Sequence, residues 1–174
     1  MSSDDFNTPA NPAENALTFI SKGEHAFGAY DDEGMGNLFV DSLQQLLSNQ
    51  PIGCIDGGAV IDRHDFAVLI TRSRYRLVSM IGAKMPDHRR GIASSLEIAM
   101  KAYDAANKQG FLVLNNMDPV INMQRRIEFE GPLQSIMQLR NNIAVVIVAT
   151  KSTIDKLVGD RDRPFFMSFR VFRL

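Results

Sequence analysis

The residue types that could do chemistry are densest in one short stretch, Asp87-His88-Arg89-Arg90-Gly91-Ile92-Ala93-Ser94, where a basic turn opens directly into helical periodicity. Free backbone N–H groups and the positive end of a helix dipole converge at such a junction. Gly91 allows a ligand to approach closely, and Arg89 and Arg90 add charge-assisted contacts. The ligand expected there is a diphosphate on the N–H groups of Arg90 to Ala93, with Ser94 in the same turn. His88 has an ordinary pKa near neutrality, and Asp87 or Glu130 could pass a proton through water, so these three are the candidate acid–base groups.

The run His88-Arg89-Arg90-Gly91-Ile92-Ala93 resembles the Arg/Gln-x-x-Gly-x-Gly/Ala turn of the GNAT superfamily of acyl-CoA-dependent N-acyltransferases. Residues 60 to 131 can be laid on that family's order of elements. The resemblance implies an α/β fold with a GNAT-like mixed, largely antiparallel twisted sheet and helices on both faces. It further implies acetyl-CoA, or another acyl-CoA, as cofactor and an amine as acceptor. Asn122 would orient the acceptor or the CoA arm, with Asn115 and Asn116 competing for that position. The chain departs from the family in three places: His88 stands where Arg or Gln is usual, Tyr75 to Ile81 carries no carboxylate base, and Phe129 falls near the usual tyrosine acid. Acyl transfer from a thioester needs little beyond a neutral amine, a positioned carbonyl and a stabilised oxyanion, so a missing base is compatible with catalysis. The same departures motivate an alternative, a catalytically silent GNAT-like fold with a structural or interaction role in a larger assembly such as a phage particle.

Other chemistry-bearing residues have plainer readings. Cys54, the single cysteine, is expected as an inert, small buried side chain and has no partner for an internal disulfide. His25 and His64 have no carboxylates or thiols clustered around them in sequence, which argues against a metal site. Gly53, Gly57 and Gly58 are not followed by Gly-Lys-Ser/Thr and read as a flexible turn. Thr150-Lys151-Ser152 after an apolar strand is similar to a late strand of a nucleoside-triphosphatase core, a reading set aside because no phosphate loop accompanies it.

The elements that would position these residues follow from periodicity. Phe39, Leu43, Leu46 and Leu47 recur at helical spacing ahead of Pro51. Asp65–Thr71 and Tyr75–Ile81 are β-rich runs around Arg72-Ser73-Arg74, which predicts an antiparallel hairpin. Ile92, Leu96, Ala99, Tyr103 and Ala106 form one helical stripe between Gly91 and Gln109, and Gly110 is expected to end that helix in the left-handed conformation. Phe111–Leu114 and Ile143–Ala149 read as buried strands. Gly131-Pro132 marks a break, Ser152 and Asp155 a capping box, and Phe165–Phe172 a last, aromatic strand with scope for self-association.

Composition sets the class. With 174 residues, 45% hydrophobic and 22% charged, the chain suits one globular domain over 13–174 behind a polar arm over 1–12. A net charge of -1 supplies no field for nucleic acid or anionic membrane, and no stretch approaches the length of a membrane-spanning helix. A cytoplasmic protein, able to form a homo-oligomer or join a protein assembly, is the expectation.

Overall fold

The computed structural model describes residues 11–84, 91–123, 127–137, 142–162, 165 and 170–174. The elements run α1 (Pro12–Ile20), β1 (Ala26–Tyr30), α2 (Glu33–Leu46), β2 (Ile52–Asp56), α3 (Arg63–Met80), α4 (Ile92–Ala106), β3 (Gly110–Asn115), α5 (Asp118–Ile121), α6 (Ile127–Met137), β4 (Ile143–Thr150), α7 (Lys151–Gly159) and β5 (Arg170–Arg173). The five strands form one sheet in the order β2-β3-β4-β1-β5. Every neighbouring pair is parallel.

This sheet overturns the expected largely antiparallel, GNAT-like architecture. The predicted hairpin over Asp65–Ile81 is the single helix α3. Its buried residues Phe66, Ile70, Ser73, Arg74, Leu77 and Val78 recur every three to four positions, which is helical spacing. β-Branched composition suggested strands, but burial follows the 3.6-residue period, and tertiary packing outweighs a weak propensity. Asp62 fixes the start by accepting a hydrogen bond from the Asp65 backbone N–H at 2.9 Å. The glycine-containing Ile52–Asp56 segment, partly read as a turn, is the edge strand β2.

The core has two layers divided by the pleat. Phe27, Ala29, Ile55, Leu112, Leu114, Val145 and Ile147 face α3, α4, α6 and α7. Their alternating neighbours Ala26, Tyr30, Phe111, Val113, Ala144, Val146 and Val148 face α1 and α2. Burial on both sides explains why β4 is an unbroken apolar run. Tyr103 locks α4 to α3 by donating its hydroxyl to the Leu77 carbonyl at 2.8 Å. The helix predicted from Gly91 is α4, but its left-handed end is Asn107 (φ 48°), and Gly110 begins β3 instead. α6 runs through Gly131-Pro132 without the expected break. α7 is capped by the Thr150 side chain, two residues before Ser152. Of the predicted last strand, Phe165 is a buried turn residue, 166–169 lie outside the described residues, and β5 begins at Arg170.

Candidate functional site

In an open parallel sheet, adjacent strands whose following helices go to opposite faces leave a crevice at their carboxyl ends. β1 and β4 are such a pair, in register from Ala26 with Val146 to Tyr30 with Thr150. After Tyr30 the chain turns through Asp31 and Asp32 into α2, on the Val146 face. After Thr150 it passes straight into α7, whose Ile154 and Leu157 lie on the other face.

One carboxylate ties this crevice together. Asp118, the first residue of α5, accepts hydrogen bonds from the Thr150 backbone N–H at 3.0 Å and the Thr150 hydroxyl at 2.5 Å. The Tyr30 hydroxyl donates to the same carboxylate at 3.3 Å. The Thr150 and Thr153 hydroxyl oxygens lie 3.0 Å apart beside it. Asn122 donates to Thr153 Oγ1 at 3.3 Å and to the Asp118 carbonyl at 2.9 Å. Asn116, left-handed at φ 51°, links the Tyr30 hydroxyl to Asp56 through bonds of 3.4 and 3.2 Å. Asn115 donates to Asn37 Oδ1 at 3.0 Å, joining β3 to the second turn of α2.

The electrostatics match the geometry. Burial raises the Asp118 pKa, but hydrogen bonds from Thr150, Thr153 and Tyr30 outweigh it and hold the carboxyl below its ordinary value. Burial, reinforced by the charge of Asp118 and its hydrogen bond, pushes Tyr30 up to about 12. At neutral pH the pair is therefore an ionised acceptor and a neutral phenol donor, fixed as a structural clasp.

The start of α2 is filled by the chain itself. Asp32 accepts from the Gly34 backbone N–H at 2.7 Å, so a carboxylate of the protein sits where an anionic ligand would be drawn. The Tyr30 ring, 4% exposed, lies so close to Gly36 that an added Cβ would be 2.5 Å from it. Glycine is required there to let the ring cover the turn.

The described members of the expected site lie on α4, α6 and the end of α5. Asp87, His88, Arg89 and Arg90 lie outside the described residues. Gly91, at φ 120°, is the N-cap of α4 and makes no side-chain cap. Ile92 is buried in the core, Ala93 is exposed and Ser94 half-buried. Glu130 is buried within α6. Among the described members, Asn122 reaches the margin of the β1–β4 crevice, through Thr153 and Asp118. Cys54 is exposed on β2, not buried. His25 is buried and its Nδ1 accepts from the Val145 backbone N–H at 2.9 Å. Among the described residues, no group of three His, Cys, Asp or Glu side chains could hold a metal ion.

The all-parallel sheet with this crevice defines a class, the open α/β fold with a crevice at the carboxyl ends of its strands. Solved structures bear this out at the level of fold. The chain is similar to a Walker-type ATPase of Pyrococcus abyssi, with a TM-score of 0.70 and 7% identity over 94% of this chain and 53% of that one. It is also similar to a chain of Drosophila ORC bound to AT-rich DNA and Cdc6, with a TM-score of 0.56 and 14% identity over 92% of this chain and 51% of that one. A further chain of Drosophila ORC bound to DNA aligns with a TM-score of 0.55 and 14% identity, over 93% and 85%. The chain thus spans about half the length of the first two. No family model matches the sequence, and no curated protein matches it.

These likenesses correct the acyltransferase reading as a whole. The GNAT resemblance, the acyl-transfer function and the acetyl-CoA cofactor all required a strand over Tyr75–Ile81 leading into the basic turn, and α3 occupies that span up to Met80. The silent GNAT-like alternative falls with the same fold. The nucleoside-triphosphatase core, set aside for want of a phosphate loop, is the fold that β4 belongs to. A signal not read from the sequence was Gly34-Met35-Gly36 at the turn from β1 into α2. No helix of the described residues is long and apolar enough to cross a membrane.

Proposed function

We propose that this chain is an ATPase-fold domain that does not hydrolyse nucleotide and works as a rigid interaction module within a larger assembly. The carrying observation is the filled turn between β1 and α2, where Asp32 caps the helix and Tyr30 covers Gly36. A phosphate loop needs open backbone N–H groups, a lysine on the β- and γ-phosphates and a hydroxyl on magnesium. Here the loop begins Asp31-Asp32-Glu33, and Asn37 and Leu38 stand in place of lysine and hydroxyl. Three acidic side chains beside a triphosphate are repulsive in a low-dielectric crevice. Asn115 ends β3 and Asn116 follows it, where a Walker-B aspartate would hold magnesium, and the amide nitrogen of each donates within the protein. The likeness to ORC chains solved with DNA and with Cdc6 supports a place in an assembly.

The test is phosphate release from Mg·ATP by purified protein, with an Asp118→Asn variant as control. No release above the buffer rate is expected from either. Turnover by the wild type that disappears in the variant would overturn the proposal.

A further inference from the structure

β2 is the outer strand of the sheet, and no described residue pairs with its free edge. Two bonds fix which of its backbone groups face outward. Phe111 N–H donates to the Pro51 carbonyl at 2.9 Å, and Gly57 N–H donates to the Asn115 carbonyl at 2.8 Å. In a parallel ladder alternate residues turn both groups to the same neighbour, so Gly53 and Ile55 serve β3, while Ile52, Cys54 and Asp56 point theirs away from it. The opposite edge, β5, carries Arg170 and Arg173, charges of the kind that guard an edge. β2 reads Ile52-Gly53-Cys54-Ile55-Asp56, with no basic residue, no proline and one terminal carboxylate, and Cys54 at its centre is exposed.

From this edge we infer that β2 pairs with β2 of a second copy of this chain, antiparallel and centred on Cys54. The outward groups are self-complementary in that register. Cys54 lies opposite Cys54 of the other copy, and Ile52 lies opposite Asp56, making three hydrogen-bonded pairs with two bonds each. Charge agrees as well: Asp56, the one charged residue of β2, faces the apolar Ile52 of the other copy, so the paired strands set no like charges opposite one another. Met80 of α3, 46% exposed, is available to extend the contact. The inference is independent of what the β1–β4 crevice does.

The experiment is sedimentation of the full chain at about 1 to 100 μM, the range in which a modest interface dissociates, beside Cys54→Ser and Cys54→Lys variants. Wild type and Cys54→Ser should approach twice the 19.4 kDa chain mass with rising concentration. Cys54→Lys, an exposed substitution that sets two ammonium groups against each other at the axis, should remain monomeric with an unchanged circular dichroism spectrum. Diamide should join wild-type chains through Cys54, because facing residues of such a pair lie about 5.5 Å apart, within disulfide reach. A wild type that stays monomeric throughout, or a Cys54→Lys variant that still dimerises, would overturn the inference.

Discussion

Asp118 gathers groups from the ends of two strands, β1 and β4, and its removal should be felt more than that of any one donor. Asp118→Ala strands the Thr150 backbone N–H, the Thr150 hydroxyl and the Tyr30 hydroxyl, and should cost about 2 to 3 kcal/mol in chemical denaturation. Tyr30→Phe removes one donor and should cost about 1 kcal/mol. The pH dependence has a definite sign. Because the folded pKa of Asp118 lies below its ordinary 3.8, its contribution is present above that value and is lost as pH falls through the lower folded value. Acid unfolding curves of Asp118→Asn should therefore lack part of the wild-type steepness below about pH 4. Tyr30 acts at the other extreme: its pKa is raised from 10.0 to about 12, so its contribution holds below pH 10.0 and fades as pH rises through about 12. Tyr103, also raised to about 12 by burial, shares that alkaline limb, so Tyr30→Phe should flatten it only in part. Gly36→Ala presses a methyl group against the Tyr30 ring and should destabilise, whereas the same change in a Tyr30→Ala background should cost much less. Additive effects of the two changes would mean the ring does not cover the turn.

At the level of elements, what was legible in the sequence is what local pattern determines. β4 is apolar from Ile143 to Ala149 and α4 carries a continuous stripe, so each declares itself whatever surrounds it. α3 does not, because its β-branched composition and its helical burial conflict, and only packing against β2 and α4 resolves them. β1 is Ala-Phe-Gly-Ala-Tyr, which has weak strand propensity and is held by two parallel neighbours rather than by itself. Missing β1 hid the strand-to-helix turn after it, and with it Gly34 and Gly36. The crevice was illegible for a related reason: Asp118 meets Thr150 across 32 residues and Tyr30 across 88, and no short motif encodes such pairs. Asn122 was noticed as a polar residue after β3, but its partner Thr153 could not be. The helical state of α3 has its own test. Asp62→Ala removes the cap on the Asp65 N–H and should cost about 1 kcal/mol, with Asp62→Asn largely sparing it. No change on Asp62→Ala would contradict a helix that starts there.

The whole molecule is an open, all-parallel α/β fold in which residues at the strand ends bond to one another. The topology makes the crevice, and Tyr30, Asn116, Asp118 and Thr150 are bonded to one another at its rim. The fold alone is therefore a poor guide to activity, since function resides in the groups placed on it. Calorimetric titration of the wild-type chain with Mg·ATP measures this most directly. To about 1 mM ligand, where binding is worth only about 4 kcal/mol, no saturable heat is expected. One-to-one saturable binding at micromolar ligand, abolished by Gly36→Glu, would show that the crevice opens to nucleotide and would contradict the account.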